Sequence, residues 1–383
     1  MLYRVVWSAL ILLFPSTVSA LQVRVADSLL QAGMQSLQAA DTLTYRDQVE
    51  RAAEAIPAGN LNRPYYQYLA ARANARARRS AASVEWLSRA YDERIEGLMI
   101  WYAGRDPEFG RVRHSPEYQA LMARVDRLSL SETQLADGVL LLEGAGGNVV
   151  ALLGPEGSLV VDAGYEPGGG AIARSVAARG GGEVRWIVLT HGHEDHVGGA
   201  LRVSPRAGIL AHPSAIATMA APQEFIGGVE APAKPFASDI DSVTTLRRMV
   251  VGRDSVEIIP LPAHSGGDLV VWFPRARVLH AGDNFLPGAN PFLELGGIQE
   301  IEAYLVAMGK LVDRLPPDTK VVPGHGPVSS LAELRAVYRK TRDGVTFVRQ
   351  QKEAGTPLAE IKQKGAELGL PGPWIERAHR RIR

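Results

Sequence analysis

The tightest constraint on this chain is the stretch VRWIVLTHGHEDHVGGA, Val184 to Ala200. An apolar run long enough for one buried strand ends at Thr190, and the next six residues hold three of the chain's nine histidines and two carboxylates. The C-terminal end of such a strand must emerge at an edge, where its polar groups meet either water or a ligand. A polar surface loop is one account of the histidines; a metal site is the other. His191 and His193 stand two apart, so in an extended loop they project to one side and can share a cation. Asp195 and His196 fall at the turn into a helix starting near Val197, and they point to an adjacent position for a second cation.

Three other places favour metal. His264 in PAHSGGD, Asp283 in LHAGDN and His325 in PGHG each follow an apolar strand and stand among Gly and Pro turns. Ligands fixed at strand ends by tight turns suit a pre-organised metal site. The residues divide evenly: His191, His193 and His264 for one metal, Asp195, His196 and His325 for another, with Asp283 bridging. There is no cysteine, which excludes disulfides, thiolate ligands, a catalytic thiol and a lipoprotein anchor. The donors are then nitrogen and oxygen only, which suits two zinc ions, with iron or manganese as alternatives.

The rest of the chain divides by pattern. The first 20 residues have Arg4, an apolar stretch from Val5 to Phe14 and small residues ending at Ala20, the form of a signal peptide cleaved after Ala20. The apolar stretch is short for a membrane span, and no twin-arginine pair precedes it. The expectation is export in an unfolded state, with metal acquired outside the cytoplasm, in the periplasm if the source is Gram-negative. Residues 21–128 carry helical spacing and almost no strand signal. Tyr65, Tyr66, Leu69, Ala70 and Ala73 share one face, and Val84, Trp86, Leu87, Ala90 and Tyr91 share another, with Ser80 a plausible N-cap between them. Alanines alternating with aromatic residues in this way resemble a divergent tetratricopeptide-type hairpin. The arginines of Ala71 to Ser80 are expected on a solvated face and a helix C-terminal end.

From about Ser129 the chain alternates strands with helices. Strands are expected at Val139 to Leu142, Val149 to Leu153 and Leu159 to Val161, and further strands in GILAHP, VEIIPLPA, LVVWFPRARVLHAGD and KVVPGHG. Helices are expected over Gly168 to Arg179, from GGALRVSP and in GIQEIEAYLVAMGKLVDRL, followed by two closing helices from about Leu331. A formal net charge of +1 gives no support for a nucleic-acid partner.

Over roughly Ser129 to Ser330 the chain resembles the metallo-β-lactamase-fold hydrolase superfamily, with all seven ligand positions of its glyoxalase II-like dinuclear pattern present in order. The resemblance implies an αββα sandwich over 129–330, preceded by a small all-α domain (21–128) and extended by C-terminal helices (331–383). It places Asp162 of VVDAG, with Thr190, behind the metal ligands; an ordinary turn residue is the other account of Asp162. It implies an exported hydrolase that cleaves an ester, thioester, lactone or amide. Hydroxide shared by two metals would be the nucleophile, and Asp195 both ligand and catalytic orienting group. No Gly-x-Ser-x-Gly elbow competes with this. The bridging Asp283 and the missing cysteine depart from the β-lactamases of the superfamily, which leaves β-lactam hydrolysis as an alternative. Two others are a persulfide dioxygenase holding one iron and a non-catalytic periplasmic adaptor. The expected partner is a small molecule, with a protein partner or self-association through the helical region.

Two segments are candidate substrate walls. Met219 to Asp241 is Pro- and Gly-rich and offers Phe225, Ile226 and Phe236, although an inert surface connection is equally simple. Asn284 to Gly297 offers Phe285, Leu286, Phe292 and Leu293 as an apolar entrance. The remaining histidines read as ordinary: His114 and His379 exposed, His212 and His280 packed near strand ends.

Overall fold

The computed structural model describes residues 17–58, 60, 62–93, 97–225, 229–231, 233–234, 236, 239–261, 264–288 and 301–382. The chain opens with helices α1 (Thr17–Gln38), α2 (Thr42–Ala55), α3 (Arg63–Arg76), α4 (Ser80–Asp92), α5 (Leu98–Arg105) and α6 (Pro116–Val125). The stretch Val5 to Phe14 lies outside the described residues, and the expected cleavage point after Ala20 falls within α1. Starts are set by side chains that accept orphan amides: Asp41 from the Thr44 N–H, and Ser115 from the Tyr118 N–H ahead of Pro116. Ser80 is the first residue of α4, and Arg79 occupies the cap without a side-chain bond.

Helix α3 departs from the expected single apolar face. Tyr66, Tyr68, Ala70, Ala71, Ala73 and Ala75 are all buried, because α3 packs on α2, α4 and α5 at once; a helix enclosed on most sides is apolar most of the way round. Arg72 is likewise not a solvated arginine. It bonds at 2.7 Å to the fully buried Asp106, which also accepts from the Tyr68 hydroxyl at 2.6 Å.

The sandwich follows. Its first half comprises β1 (Ser131–Ala136), β2 (Val139–Glu143), β3 (Val149–Leu152), β4 (Ser158–Val161), α7 (Glu166–Ala178), β5 (Val184–Val188), α8 (Glu194–Val197), α9 (Ala200–Val203), β6 (Gly208–Ala211) and α10 (Pro213–Met219). A hairpin of β7 (Gln223–Phe225) and β8 (Val229–Ala231) comes next, then β9 (Asp241–Ser242). The second half comprises β10 (Arg247–Val251), β11 (Asp254–Pro260), β12 (Leu269–Phe273), β13 (Val278–Gly282), α11 (Ile301–Arg314), β14 (Lys320–Pro323) and β15 (Ser329–Ser330). Three helices, not the expected two, close the chain: α12 (Leu331–Glu353), α13 (Leu358–Glu367) and α14 (Gly372–Arg381). Pro357 and Pro371 divide them by occupying the N-caps of α13 and α14.

Seven strands form one sheet, in the order β1-β2-β3-β4-β5-β6-β9, and six form another, β10 to β15 in sequence. β4, β5, β6 and β9 run parallel, as do β13 and β14; the other pairs are antiparallel. Side-chain alternation decides the layering. Leu141, Val150 and Leu152 of the first sheet meet Leu269, Val271 and Phe273 of the second in one core. The intervening Leu140, Leu142 and Ala151 face α7, α9 and α10, while Val270, Trp272 and Leu279 face α11 and α12. Helix, sheet, sheet, helix is therefore the order of layers, with the helical region added to one side.

Candidate metal centre

Four parallel-strand ends build the site. β4 ends at Asp162, β5 runs into Thr190 and His191, β13 into Asp283, and β14 into His325. Crevices at the C-terminal ends of parallel strands are where α/β sheets place ligands. His264 comes from the β11–β12 connection. Buried Asp268 shapes that loop: its carboxylate accepts from the Ser265 and Gly266 amides and the Ser265 hydroxyl.

All seven histidines and aspartates singled out in the sequence converge. His193 Nδ1 lies 2.8 Å from His191 Nε2 and 3.2 Å from His264 Nε2. His325 Nε2 lies 2.9 Å from Asp195 Oδ2, and His196 Nε2 3.6 Å from the same oxygen. Asp283 stands between the two groups. Its Oδ2 is 3.8 Å from His191 Nε2 and 3.5 Å from His264 Nε2, whereas its Oδ1 is 3.5 Å from His196 Nε2 and 3.8 Å from His325 Nε2. His191, His193, His264 and Asp283 form one group that could hold a metal ion, and Asp195, His196 and His325 a second. The approach at Asp283 requires glycine at 324, where a Cβ would lie 1.8 Å from Asp283 Oδ1.

Behind them, Asp162 and Thr190 orient the imidazoles. Asp162 Oδ2 accepts from His196 Nδ1 at 2.7 Å and from the Thr190 hydroxyl at 2.9 Å, and Asp162 Oδ1 accepts from the Thr190 amide at 2.7 Å. With its proton given to Asp162, the Thr190 hydroxyl accepts from His191 Nδ1 at 3.0 Å. In the neutral rings of His191 and His196 these bonds place the proton on Nδ1 and leave Nε2 facing the cluster. Asp162 does this from a left-handed backbone, φ +65°, a strained conformation of the kind that clusters at working sites.

The clustered donors shift one another's proton affinities. Burial pushes the His191 imidazole well below its usual value, and the neighbouring imidazoles push the same way. Burial also works against charge on His196, but Asp195, Asp162 and Asp283 outweigh it and push its pKa up to about 10. For His325 the same contest, won by Asp283 and Asp195, ends at about 9. Burial alone would raise Asp195 and Asp283; the imidazoles around them reverse this and hold both carboxyls below the usual range. Asp195 and His325 retain side-chain exposure of 20% and 36%, so this side opens to solvent.

Sequence reasoning misplaced some neighbours. Phe285 is fully buried in the core against α11, not at an entrance. Phe225's side chain, Ile226, Phe292 and Leu293 lie outside what is described. The insertion is anchored at two points: Val229 packs with Trp101 and Tyr165, and Phe236 joins the core under the first sheet. His212 caps α10 by accepting from the Ser214 amide. His280, fully buried, donates from Nε2 to the Asn148 carbonyl at 2.9 Å. His114 is exposed, whereas His379 is half-buried. Two contributors were missed. Asn148 bonds the Pro323 and Gly326 carbonyls on both sides of His325, and Glu194 accepts from Trp101 Nε1 at 3.0 Å. The glycines before Asn148 were the available signal for the first; nothing local marks the second.

Residues 142–330 match the family model described as the Metallo-beta-lactamase superfamily. Over 145 residues the chain is 30% identical to a metallo-beta-lactamase type 2 of Bacillus cereus, an alignment covering 37% of this chain and 52% of that protein. It is 24% identical over 200 residues to a hydroxyacylglutathione hydrolase of Fuscovulum blasticum, covering 52% and 68%. A hydroxyacylglutathione hydrolase of Methylococcus capsulatus is 25% identical over 247 residues, covering 55% and 88%. The chain spans about half the length of the first curated relatives it matches. A solved metallo-beta-lactamase from Pontibacter korlensis covers 56% of this chain and 99% of its own, at a TM-score of 0.44 and 19% identity.

Proposed function

We propose, from the match of residues 142–330 to the model of the Metallo-beta-lactamase superfamily, that the chain is a metal-dependent hydrolase of an ester, thioester, lactone or amide. The observation that carries this is the division of Asp283. Its two oxygens face two different histidine groups, and its Oδ1 and the His196 Nε2 opposite are buried without a hydrogen-bond partner. Buried polar atoms left so are costly, and a cation between them removes the cost. His191, His193, His264 and Asp283 Oδ2 would hold one ion; Asp195, His196, His325 and Asp283 Oδ1 would hold the other. Imidazole and carboxylate donors without thiolate suit zinc, and accommodate iron or manganese. Two such ions would activate water near neutral pH and polarise a carbonyl.

The chain's own groups do the rest. Asp162 and Thr190 fix the tautomers of His196 and His191. Asp195, at the solvent-open side, orients the attacking water. The hydroxyacylglutathione hydrolases among the relatives support a thioester substrate, and the Bacillus cereus relative supports a β-lactam as the second candidate. Export to the periplasm is part of the proposal and rests on residues 1–20; N-terminal sequencing of the protein recovered from an expressing cell tests it.

Elemental analysis of the purified chain decides the main question. About two zinc ions per chain supports the hydrolase, and turnover of S-acylglutathione, lactone and β-lactam panels then names the bond. A single iron would transfer the proposal to persulfide oxidation. No metal after zinc is added back would leave the adaptor.

A further inference from the structure

Glu194 lies inside the His191–His196 loop yet turns away from the cluster. Its side chain is 5% exposed, and each carboxylate oxygen has a partner from a different part of the chain. Oε1 accepts from Trp101 Nε1 of α5 at 3.0 Å, and Oε2 pairs with Lys234 Nζ of the insertion at 2.5 Å. Gly198 makes room for the carboxylate, since a Cβ there would lie 2.6 Å from Oε1. Around this point Trp101, Tyr165 and Val229 form a small buried cluster of their own. Arg105, 4.8 Å over the Trp101 ring, pairs with Glu166 of α7 at 2.7 Å and adds a second strut.

We propose that Glu194 is a positioning residue: gripped by Trp101 and Lys234, it holds the Asp195–His196 turn, which makes the helical region a working part of the metal loop. Physical necessity supports this. A carboxylate taken out of water is tolerable only when paired and hydrogen-bonded, so Glu194 cannot leave Trp101 and Lys234 without cost. The next two residues along the backbone are Asp195 and His196, and the amides of His196, Val197 and Gly198 bond back to His193 and Glu194. A shift of Glu194 therefore moves Asp195 and His196 relative to Asp283. The term metal loop rests on the hydrolase proposal above; the grip itself does not.

The test uses the full chain and a matched control. Trp86 Nε1 also donates to a glutamate, Glu50, at 3.1 Å, wholly within the helical region. Hydrogen exchange is compared in metal-free wild type, Trp101→Phe and Trp86→Phe. Trp101→Phe should speed exchange of the His196–Gly198 amides by about tenfold, as for a local opening made ~1.4 kcal/mol easier, and Trp86→Phe should leave them unchanged. Zinc affinity, read with a chromophoric chelator, should fall ~10-fold in Trp101→Phe alone. Glu194→Gln, which still accepts from Trp101, should exchange more slowly at these amides than Glu194→Ala. Equal loop exchange in all three proteins would overturn the proposal. Faster exchange in Trp101→Phe, alongside a wild type that takes up no zinc, would support the grip and sink the hydrolase proposal instead.

Discussion

His196 Nδ1 donates to Asp162 Oδ2 at 2.7 Å with both side chains fully buried, and that single bond decides which nitrogen of His196 faces Asp283. Asp162→Asn keeps the shape but puts an amide beside an imidazole and a hydroxyl that both need an acceptor. Metal affinity should fall by ~10–100-fold, the usual consequence of losing a supporting partner, while circular dichroism stays as in wild type. Chelator competition on the two proteins checks it; equal affinities would mean that Asp162 is an ordinary turn residue.

His191→Ala and Asp195→Ala each remove a proposed ligand rather than its support. Hydrolysis should drop by more than the ~100-fold upper range for supporting partners, with the sandwich still folded. Turnover on whichever substrate the panel identifies, set beside thermal unfolding, gives the comparison. Near-normal turnover in either variant would end the proposed mechanism.

Acid should weaken metal uptake. With pKa values pushed up to about 10 and about 9, His196 and His325 carry protons at pH 7 in the metal-free chain. An entering cation must expel them, so affinity rises with pH through the neutral range and falls as pH drops. Up to about two protons should be released per chain, and affinity should rise by as much as ~100-fold per pH unit between pH 6 and 8. Calorimetry in buffers of different ionisation heat counts the protons; a count of zero would contradict this.

The helical region has its own weak point at Asp106. Removing this carboxylate leaves Arg72 and the Tyr68 hydroxyl facing an apolar void, since Asp106 is fully buried between them. Asp106→Ala should cost about 3–5 kcal/mol and melt the helices before the sandwich. Urea unfolding followed at the tryptophans, two of which (Trp86 and Trp101) belong to the helical region, should show an earlier transition; an unchanged midpoint would count against it.

What could be read beforehand followed from locality. His191, His193 and His196 share one loop, and His264, Asp283 and His325 each follow an apolar run and stand within two residues of a glycine, so each announces a strand end. Strand β1, SETQLA, escaped notice because most of its side chains face out and only Leu135 is buried among β-typical signals. The Trp101–Glu194 bond joins residues 93 apart, and no periodicity encodes a meeting of that kind. Both partners had complete local explanations, Trp101 as an apolar helix residue and Glu194 as a polar loop residue. Phe285 was misplaced for the opposite reason: its apolar neighbours pointed to a surface wall, and only packing against α11 shows it inside.

The Asp283 carboxylate, split between its two histidine groups, also sets a schedule. Its partners are strung from His191 to His325, on strand ends of both sheets, so none of the early-made segments can complete the cluster alone. A chain emerging in order owns His191, His193, Asp195 and His196 long before β13 and β14 exist to receive them. Closure of such distant segments is slow, and until it happens the early histidines are an open chelator for any passing cation. The centre is thus among the last features to form, and a correctly filled one certifies that both sheets have found each other.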